Sequence, residues 1–247
     1  MKIVATYNIK GGVGKTSAAV NIAALAAGDG FRTLLWDLDP QAAATFLFRI
    51  RPKIRGGADK LVQGKSDLAG LLRGTDIEGL DLLPADFSYR NLDLALDDAK
   101  RPTRQLTRLL GPLAADYDLV VLDCPPSISL VSENVFHAAD ALLVPVIPTT
   151  LSLRTFDQLL GFVAGLDRPP QIIAFFSMVD RRKRLHCDIV AETPARYPAI
   201  VSAAIPSATD VERMGIHRGP LSLFAPRSAA ARAYTALWAE TRRRVGL

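Results

Sequence analysis

Short runs of consecutive apolar residues recur along the chain, and longer stretches with helical apolar spacing separate most of them. Strands that are buried on both faces are continuously apolar rather than alternating, so these runs predict strands. The helices between them predict an α/β fold, with a doubly wound, mostly parallel β-sheet flanked by helices. The seven predicted strands cover residues 2–7, 33–38, 80–83, 119–122, 141–146, 172–177 and 199–205.

Helix signals mark both ends of the chain. Residues 16–27 have helical apolar spacing, and Gly28 and Gly30 predict the end of that helix. A final helix is predicted over residues 228–245. Residues 49–65, rich in Arg, Lys and Gly, are interpreted as a surface excursion. The length of 247 residues suits one domain over 1–247.

Composition excludes several classes of protein. Hydrophobic residues make up 49% and charged residues 22%, an ordinary globular balance. No apolar run approaches the ~20 residues that span a bilayer. Residues 138–151 contain Asp140 and two prolines, so a buried strand with its exit loop is expected there. Two cysteines, Cys124 and Cys187, are too few for a disulfide framework, and the N-terminal residues do not resemble a signal peptide. Both observations predict a cytoplasmic protein.

A glycine-rich turn joins the first strand to the first helix. Its glycines allow successive N–H groups to face an anion, and the helix adds its positive dipole end. Lys15 can reach the β- and γ-phosphates, and Thr16 offers a hydroxyl to Mg²⁺. A strict G-x-x-x-x-G-K-[ST] search fails because Ile9 holds the first glycine position. The predicted nucleotide-binding residues are Lys10, Gly11, Gly12, Val13, Gly14, Lys15, Thr16 and Ser17.

Lys10 stands at the head of this loop, before two glycines. In this respect the sequence resembles the ParA/MinD group of P-loop ATPases, whose phosphate loop is of the deviant Walker A type. The resemblance implies ATP and Mg²⁺ as ligands and a homodimer that forms on ATP binding. It also implies that Lys10 reaches the nucleotide of the partner copy. The alternative interpretation is a solvent-exposed lysine.

Three aspartates end predicted strands. Asp37 and Asp39, at i and i+2 of an extended segment, point the same way. The resemblance assigns Asp39 to the attacking water and Asp37 to the metal shell, whereas a loop-capping pair is the alternative. Asp123 ends an apolar strand in the Walker B manner and would hold Mg²⁺ with Thr16. Lys10, Lys15 and Asp39 are the predicted catalytic residues, and the lack of an identifiable arginine finger favours slow hydrolysis.

The Asp-Pro-Gln sequence at residues 39–41 resembles the ParA branch. Further ParA-like stretches are residues 82–87, 117–127, 145–151, 177–182 and 224–228. By this resemblance, Met178 and Pro206 mark the pocket for the base. The resemblance implies non-specific DNA binding, a ParB-like or other adaptor protein that stimulates hydrolysis, and association with the nucleoid. The cargo would be a plasmid, a chromosome or a protein cluster such as a carboxysome or chemotaxis array.

Charge is unevenly distributed along the chain. Residues 181–247 hold 12 Lys and Arg against 5 Asp and Glu, while the remainder is slightly acidic. A basic quarter favours a polyanionic partner, and the alternative is a solvated helical face. Arg182 lies close to the predicted base pocket, so the alternative to DNA binding for this residue is a structural role. The DNA-binding candidates are Arg181, Lys183, Arg184, Arg196, Arg213, Arg218, Arg242, Arg243 and Arg244.

Two other functions compete with DNA-based positioning. The final helix places Tyr234, Leu237, Trp238 and Val245 among alanines before an arginine triplet, so it could anchor a MinD-like regulator to a membrane. Packing of this helix on the core is the favoured interpretation, and no stable membrane insertion is expected. The third candidate is a small-molecule enzyme such as an ATP-dependent ligase, against which the Asp-Pro-Gln sequence and the basic quarter argue.

Overall fold

The computed structural model describes residues 1–52, 57–65 and 68–247. Within these residues, eight strands form one sheet in the order β3-β4-β2-β5-β1-β6-β7-β8. Every neighbouring pair is parallel except β3 with β4. The strands are β1 (Lys2–Thr6), β2 (Thr33–Asp37), β3 (Arg73–Gly74), β4 (Leu80–Leu83), β5 (Leu119–Asp123), β6 (Ala141–Val146), β7 (Gln171–Val179) and β8 (Ile200–Pro206).

The seven predicted strands all appear in the sheet, which confirms the mostly parallel α/β fold. Two of them have the predicted bounds and the others differ by one or two residues at an end, with β7 extended at its C-terminal end to Val179. β3 was not predicted from the sequence, and its two residues, Arg73 and Gly74, are both exposed at the edge of the sheet. An edge strand of this length buries no apolar side chain, so no hydrophobic run marks it.

Helices cover both faces of the sheet. Short 3₁₀ helices at Phe87–Asn91, Pro102–Arg104 and Gly111–Ala115 supplement them. The α-helices are α1 (Lys15–Gly28), α2 (Ala43–Leu47), α3 (Gly57–Val62), α4 (Leu68–Leu71), α5 (Leu92–Asp97), α6 (Gln105–Leu110), α7 (Leu130–Ala138), α8 (Thr150–Ala164), α9 (Arg184–Arg196), α10 (Thr209–Glu212), α11 (Met214–His217), α12 (Leu221–Phe224) and α13 (Ala229–Val245).

The hydrophobic core has two layers, one on each face of the sheet. Alternate residues of β5 point into different layers: Val120 and Leu122 join one cluster with α5 to α8, and Leu119 and Val121 join the other with α1 and α13. All of these side chains are fully buried. This two-sided burial is the physical reason for the continuous apolar runs in the sequence.

The segment interpreted as a surface excursion is partly core, so that prediction is wrong for α3. Ala58, Leu61 and Val62 are buried against the layer that contains α5. They stand at i, i+3 and i+4, which is one face of a helix. Residues 53–56 of the same segment lie outside the described residues.

The final helix packs on the core, as favoured from the sequence. Tyr234, Leu237, Trp238 and Val245 of α13 are buried against the layer that contains α1. Ser228 caps its first turn by accepting a hydrogen bond from the Ala231 N–H. In the described part of the chain, no helix combines the length and hydropathy that a membrane crossing requires.

Candidate nucleotide-binding site

The phosphate loop connects β1 to α1. Gly14 caps the helix with a φ of 95°, and Gly12 has a φ of 69°, both in the left-handed region that favours glycine. A Cβ on Gly14 would also lie 2.9 Å from Ser177 Oγ. Glycine at position 14 is therefore required both by backbone conformation and by the close approach of β7.

Two side chains hold the loop in shape. Asn8 donates from Nδ2 to the Pro145 carbonyl at 2.7 Å and accepts the Lys10 N–H at 2.9 Å. Lys15 Nζ donates to the Lys10 carbonyl at 2.8 Å. Burial lowers the pKa of Lys15, an effect opposed by Asp123 and other nearby groups. The ammonium group thus lies under the loop, where it can form an ion pair with a phosphate that enters the cleft.

Asp123 lies among the other charged side chains of the site. It is fully buried at the end of β5, where Oδ1 accepts the Thr6 hydroxyl at 3.3 Å. Its Oδ2 is buried without a hydrogen-bond partner among the described residues. Burial raises the pKa of Asp123 well above its ordinary value and Asp37 adds to the rise, while Thr16 and Lys15 oppose it.

These features fit a bound magnesium ion. A buried carboxylate oxygen with no partner is costly, and a cation or its water shell would satisfy it. Thr16, close to Asp123, offers the hydroxyl predicted from the sequence. Among the described residues, no group of three or more His, Cys, Asp or Glu side chains is arranged to hold a metal ion without further ligands. Mg²⁺ needs few protein ligands when phosphates and water complete its shell, so this set is sufficient.

Asp37 lies beside Asp123 because the two residues are register partners in β2 and β5. Its Oδ2 accepts both the N–H and the hydroxyl of Thr45, at 2.8 and 2.7 Å, and its Oδ1 accepts the Asp39 N–H. Burial raises the pKa of Asp37 to about 6, with a smaller contribution from Asp39. These contacts make Asp37 a capping group for its loop, the alternative weighed from the sequence, and its metal role stays a prediction.

Asp39 faces a cleft of about 370 Å³ at the carboxyl ends of the strands. Its Oδ1 accepts the Gln41 N–H at 2.9 Å, which fixes the side chain beside the loop. The cleft brings Asp39 together with Gly11, Gly12, Gly14, Lys15, Thr16 and Ser17 of the predicted set. Asp39 therefore shares a cleft with the phosphate loop, and its water-positioning role remains a prediction.

The far end of the cleft is formed by β7 and β8. Met178 and Pro206, predicted from resemblance, both line it, and Met178 has a φ of 56° that few side chains tolerate. Carboxyl ends of parallel strands are the expected location for such a pocket, and this topological signal could have pointed to the other lining residues. Those missed are Pro126, Ser177, Ile205, Ser207, Ala208, Val211, Glu212 and Tyr234.

Two members of the predicted loop do not line the cleft. Val13 is buried and packs inward, so its contribution is to the fold of the loop. Lys10 is half-buried, and its carbonyl, rather than its side chain, is held by Lys15. The Lys10 side chain is accordingly available for contacts outside the cleft of its own chain.

The predicted DNA-binding residues are scattered, and many are paired. Arg218 stacks over Phe46 and donates to its carbonyl, whereas Arg181, Lys183 and Arg213 are exposed and have no ion pair with any described residue. Arg182 forms a two-point contact with Asp180, which supports its structural alternative. The paired candidates are Arg184 with Asp188, Arg196 with Asp157, Arg242 with Asp29, and Arg243 and Arg244 with Glu240.

Comparison with known proteins agrees with this geometry. A family model described as an AAA domain matches residues 1–171. The chromosome partitioning protein ParA of Caulobacter vibrioides is 30% identical over 246 residues, which cover 96% of this chain and 92% of the relative. The chain belongs to the ParA family of P-loop ATPases. The sporulation initiation inhibitor protein Soj of Bacillus subtilis is 29% identical over 240 residues, covering 94% and 95% of the two chains.

A solved structure shares the fold of this ParA-family chain over its full length. The cobyrinic acid a,c-diamide synthase of Mycobacterium smegmatis superposes with a TM-score of 0.82 and 28% identity, covering 100% of this chain and 97% of that one. That structure contains an ATP analog and magnesium. The predicted ligands, ATP and Mg²⁺, agree with those named for this neighbour.

Proposed function

We propose that this chain is a positioning ATPase of the ParA type. ATP and Mg²⁺ bind in the cleft, two copies close around the nucleotides as a sandwich dimer, and the dimer binds DNA without sequence preference. Hydrolysis, stimulated by a ParB-like or other adaptor protein, then releases it. The observation that carries this proposal is the division between two lysines. Lys15 is buried and donates to the Lys10 carbonyl, whereas Lys10 is not among the described residues that line the cleft.

The chain's own residues divide the work of hydrolysis. The loop N–H groups and Lys15 bind the phosphates, while Thr16 and Asp123 would hold Mg²⁺, which would neutralise charge on the phosphate oxygens when bound. Asp39 orients the attacking water from the side of the cleft. None of the described arginines lines the cleft. Charge that develops at the γ-phosphate is stabilised by Lys15 and by Lys10 of the second copy, so turnover is slow.

A light-scattering experiment with two variants tests this scheme. Lys10→Ala should bind ATP but stay monomeric, because its role lies across the dimer interface. Asp39→Ala should dimerise with ATP but release phosphate at a greatly reduced rate, since it lacks the group that positions water. An ATP-dependent dimer of Lys10→Ala would remove this lysine from the interface, and normal turnover of Asp39→Ala would reassign the water-positioning role.

A cosedimentation assay distinguishes binding to nucleoid DNA from binding to a membrane. Wild-type protein with Mg-ATP should sediment with plasmid DNA and not with anionic liposomes. The same measurement with ADP is the control, because the proposal requires ATP for DNA binding. ATP-dependent retention on liposomes alone would instead support a MinD-like membrane regulator, although the burial of the apolar face of α13 argues against it.

The name of the Mycobacterium smegmatis neighbour favours a second candidate, ATP-dependent amide synthesis on a small molecule. The two functions differ in what ATP hydrolysis requires. A positioning ATPase releases phosphate with no acceptor present, and DNA with an adaptor increases the rate. A ligase requires its carboxylic acid, so a strict dependence of phosphate release on cobyrinic acid with an ammonia source would favour the synthase.

A further inference from the structure

A second cavity, of about 760 Å³, lies at the edge of the sheet beside the nucleotide cleft. Its walls come from α9, β8 and α13. They carry small apolar side chains: Val190 and Ala191 on α9, Ala204 on β8, and Ala229 and Ala233 on α13. The volume is within the range that binds ligands. We name this cavity the edge groove.

The charged side chains of the edge groove are all basic. Arg181 and Arg232 are the charged residues that line it, and both are exposed. Arg232 donates to the carbonyl of Arg227, and neither arginine pairs with a carboxylate in the described part of the chain. Two guanidinium groups above an apolar floor are complementary to a ligand that has both carboxylates and small apolar groups.

The groove also follows an open strand edge. In the described part of the chain, β8 is the last strand of the sheet and pairs only with β7 on its inner side. Among the described residues, no other element hydrogen-bonds the backbone of residues 201–205. Unpaired edge groups of this kind accept an extended peptide as an additional strand. Pro206 has no N–H and ends the available edge.

We propose that the edge groove binds an extended, acidic segment of a partner protein. The segment pairs with the outer edge of β8, places small apolar side chains against the alanines, and directs carboxylates to Arg181 and Arg232. This binding requires neither dimerisation nor DNA, so it goes beyond the proposed positioning function and can fail independently of it.

The groove shares a wall with the nucleotide cleft. Pro206 lines both cavities, and Val179 in the groove directly follows Met178 in the cleft. A segment bound in the groove therefore contacts the other side of the wall that forms the base end of the cleft. We expect its affinity to differ between the nucleotide-free and the ATP-bound protein, because binding at the two sites shifts the same wall.

Cys187 provides a direct readout of occupancy. It lines the groove and is exposed, whereas Cys124, the other cysteine of the chain, is buried. The probe is an acetylated and amidated hexapeptide of alternating valine and glutamate, with the matched lysine peptide as control. At a glutamate-peptide concentration of ten times its dissociation constant, alkylation of Cys187 by iodoacetamide should slow about tenfold, as mass action requires.

Two variants test the charge and the shape of the groove. Arg181→Glu with Arg232→Glu should weaken binding of a fluorescent form of the glutamate peptide at least about tenfold, by replacing two attractions with repulsions. Ala191→Trp, at an exposed position on α9, should fill the groove and weaken binding to a similar extent. Arg168→Glu, an exposed charge reversal outside the groove, should change affinity less than about twofold.

Three results would overturn the proposal. The first is equal protection of Cys187 by the lysine peptide, or none by the glutamate peptide. The second is unchanged affinity in both groove variants. The third is protection by inorganic phosphate or by a short DNA duplex in place of the glutamate peptide, which would make the groove a phosphate site. Circular dichroism of each variant verifies that it is folded before binding is measured.

Discussion

The phosphate end of the nucleotide cleft and the basic C-terminal quarter both carry charge, but they differ in what surrounds it. At the phosphate end, Lys15 and Asp123 are buried, and Asp123 keeps one oxygen without a partner. In the C-terminal quarter, the basic residues lie mostly on the surface, and six of the twelve form ion pairs with described carboxylates. A buried carboxyl oxygen without a hydrogen-bond partner favours a ligand beside it, whereas an exposed charge has meaning only once its neighbours are known.

The difference has an energetic origin. Burying a charged group without compensation costs several kcal/mol by order of magnitude, so such groups persist where a ligand repays the cost. An exposed ion pair contributes about 0–1 kcal/mol and constrains nothing beyond its own geometry. Summed charge along a sequence therefore overstates what a surface offers to a polyanion. The pairs of Glu240 with Arg243 and Arg244 are the clearest case.

The largest effect is expected at the phosphate end. Lys15→Ala removes both the ammonium group under the loop and its bond to the Lys10 carbonyl. Charge-assisted hydrogen bonds contribute about 1.5–3 kcal/mol, so affinity for Mg-ATP should fall on the order of a hundredfold in titration calorimetry. Lys183→Ala, an exposed lysine that does not line the cleft, is the matched control and should bind Mg-ATP as wild type does. If Lys15→Ala kept its affinity for ATP, the buried lysine would have no special role in binding the phosphates.

Substitutions at Gly14 and Gly28 test whether the backbone conformation at position 14 requires glycine. Gly14→Ala forces alanine into a φ of 95° and sets its Cβ 2.9 Å from Ser177 Oγ. The free energy of unfolding should fall by about 1–3 kcal/mol, measured by urea denaturation. Gly28→Ala, at the end of α1 with open space around its Cβ, should be neutral or raise stability by about 0.4–1 kcal/mol. Equal effects at the two positions would refute a special role for Gly14.

The sequence predicts the phosphate end well because its determinants are local. One strand, one turn and one helix bring residues 10–17 together, and each strand-ending aspartate reaches the same edge by the rule for parallel sheets. The base end was found only through Met178 and Pro206, since Ser177, Ser207 and Tyr234 converge from elements that no local pattern joins. Their arrangement depends on the order of strands and on the docking of α13.

Tertiary pairing produces contacts that the sequence does not indicate. Nothing near Arg242 in the sequence indicates that it pairs with Asp29, whose Oδ2 lies 3.3 Å from Arg242 Nη1 in the fold. The Thr45 contacts that occupy one oxygen of Asp37 are likewise invisible in the Asp-Leu-Asp pattern, although Thr45 is only eight residues away. Hydrophobic burial predicts which elements form, but the specific partner of a polar group follows from how those elements pack.

A pH series tests whether Asp123 is held at a cost. Its raised pKa means that the folded protein binds more protons than the unfolded chain above pH 3.8. The contribution of Asp123 to the free energy of unfolding should therefore fall as the pH rises above 3.8, and the contribution of Asp37 should fall as the pH passes its pKa of about 6. Asp123→Asn should lessen that fall and stabilise the nucleotide-free protein by about 1–3 kcal/mol at neutral pH, while weakening the Mg²⁺ dependence of ATP binding.

Asp118→Asn is the control of opposite sign for this series. The Arg32 guanidinium lowers the pKa of Asp118 to about 2, so its ion pair stabilises the fold above pH 3.8 and is lost as the pH falls toward 2. Urea denaturation should show Asp118→Asn less stable than wild type at neutral pH, with the difference shrinking in acid. If Asp123→Asn behaves in the same way, its carboxylate is compensated in the folded protein.

The smallest effects are expected in the C-terminal quarter, where they discriminate paired from unpaired charge. Lys183→Ala with Arg213→Ala removes two exposed cations that have no ion pair with any described residue, and should reduce the slope of log affinity against log salt for plasmid DNA by roughly two. Arg243→Ala with Arg244→Ala removes the same formal charge but also frees Glu240, which is 23% exposed and would then be unpaired. We expect a change in slope below about one and a change in unfolding free energy within about 1 kcal/mol.

Filter binding with Mg-ATP over a salt series measures the slope for both double variants under the same conditions. Equal slopes for the two double variants would show that summed charge, rather than pairing, governs the contact with DNA.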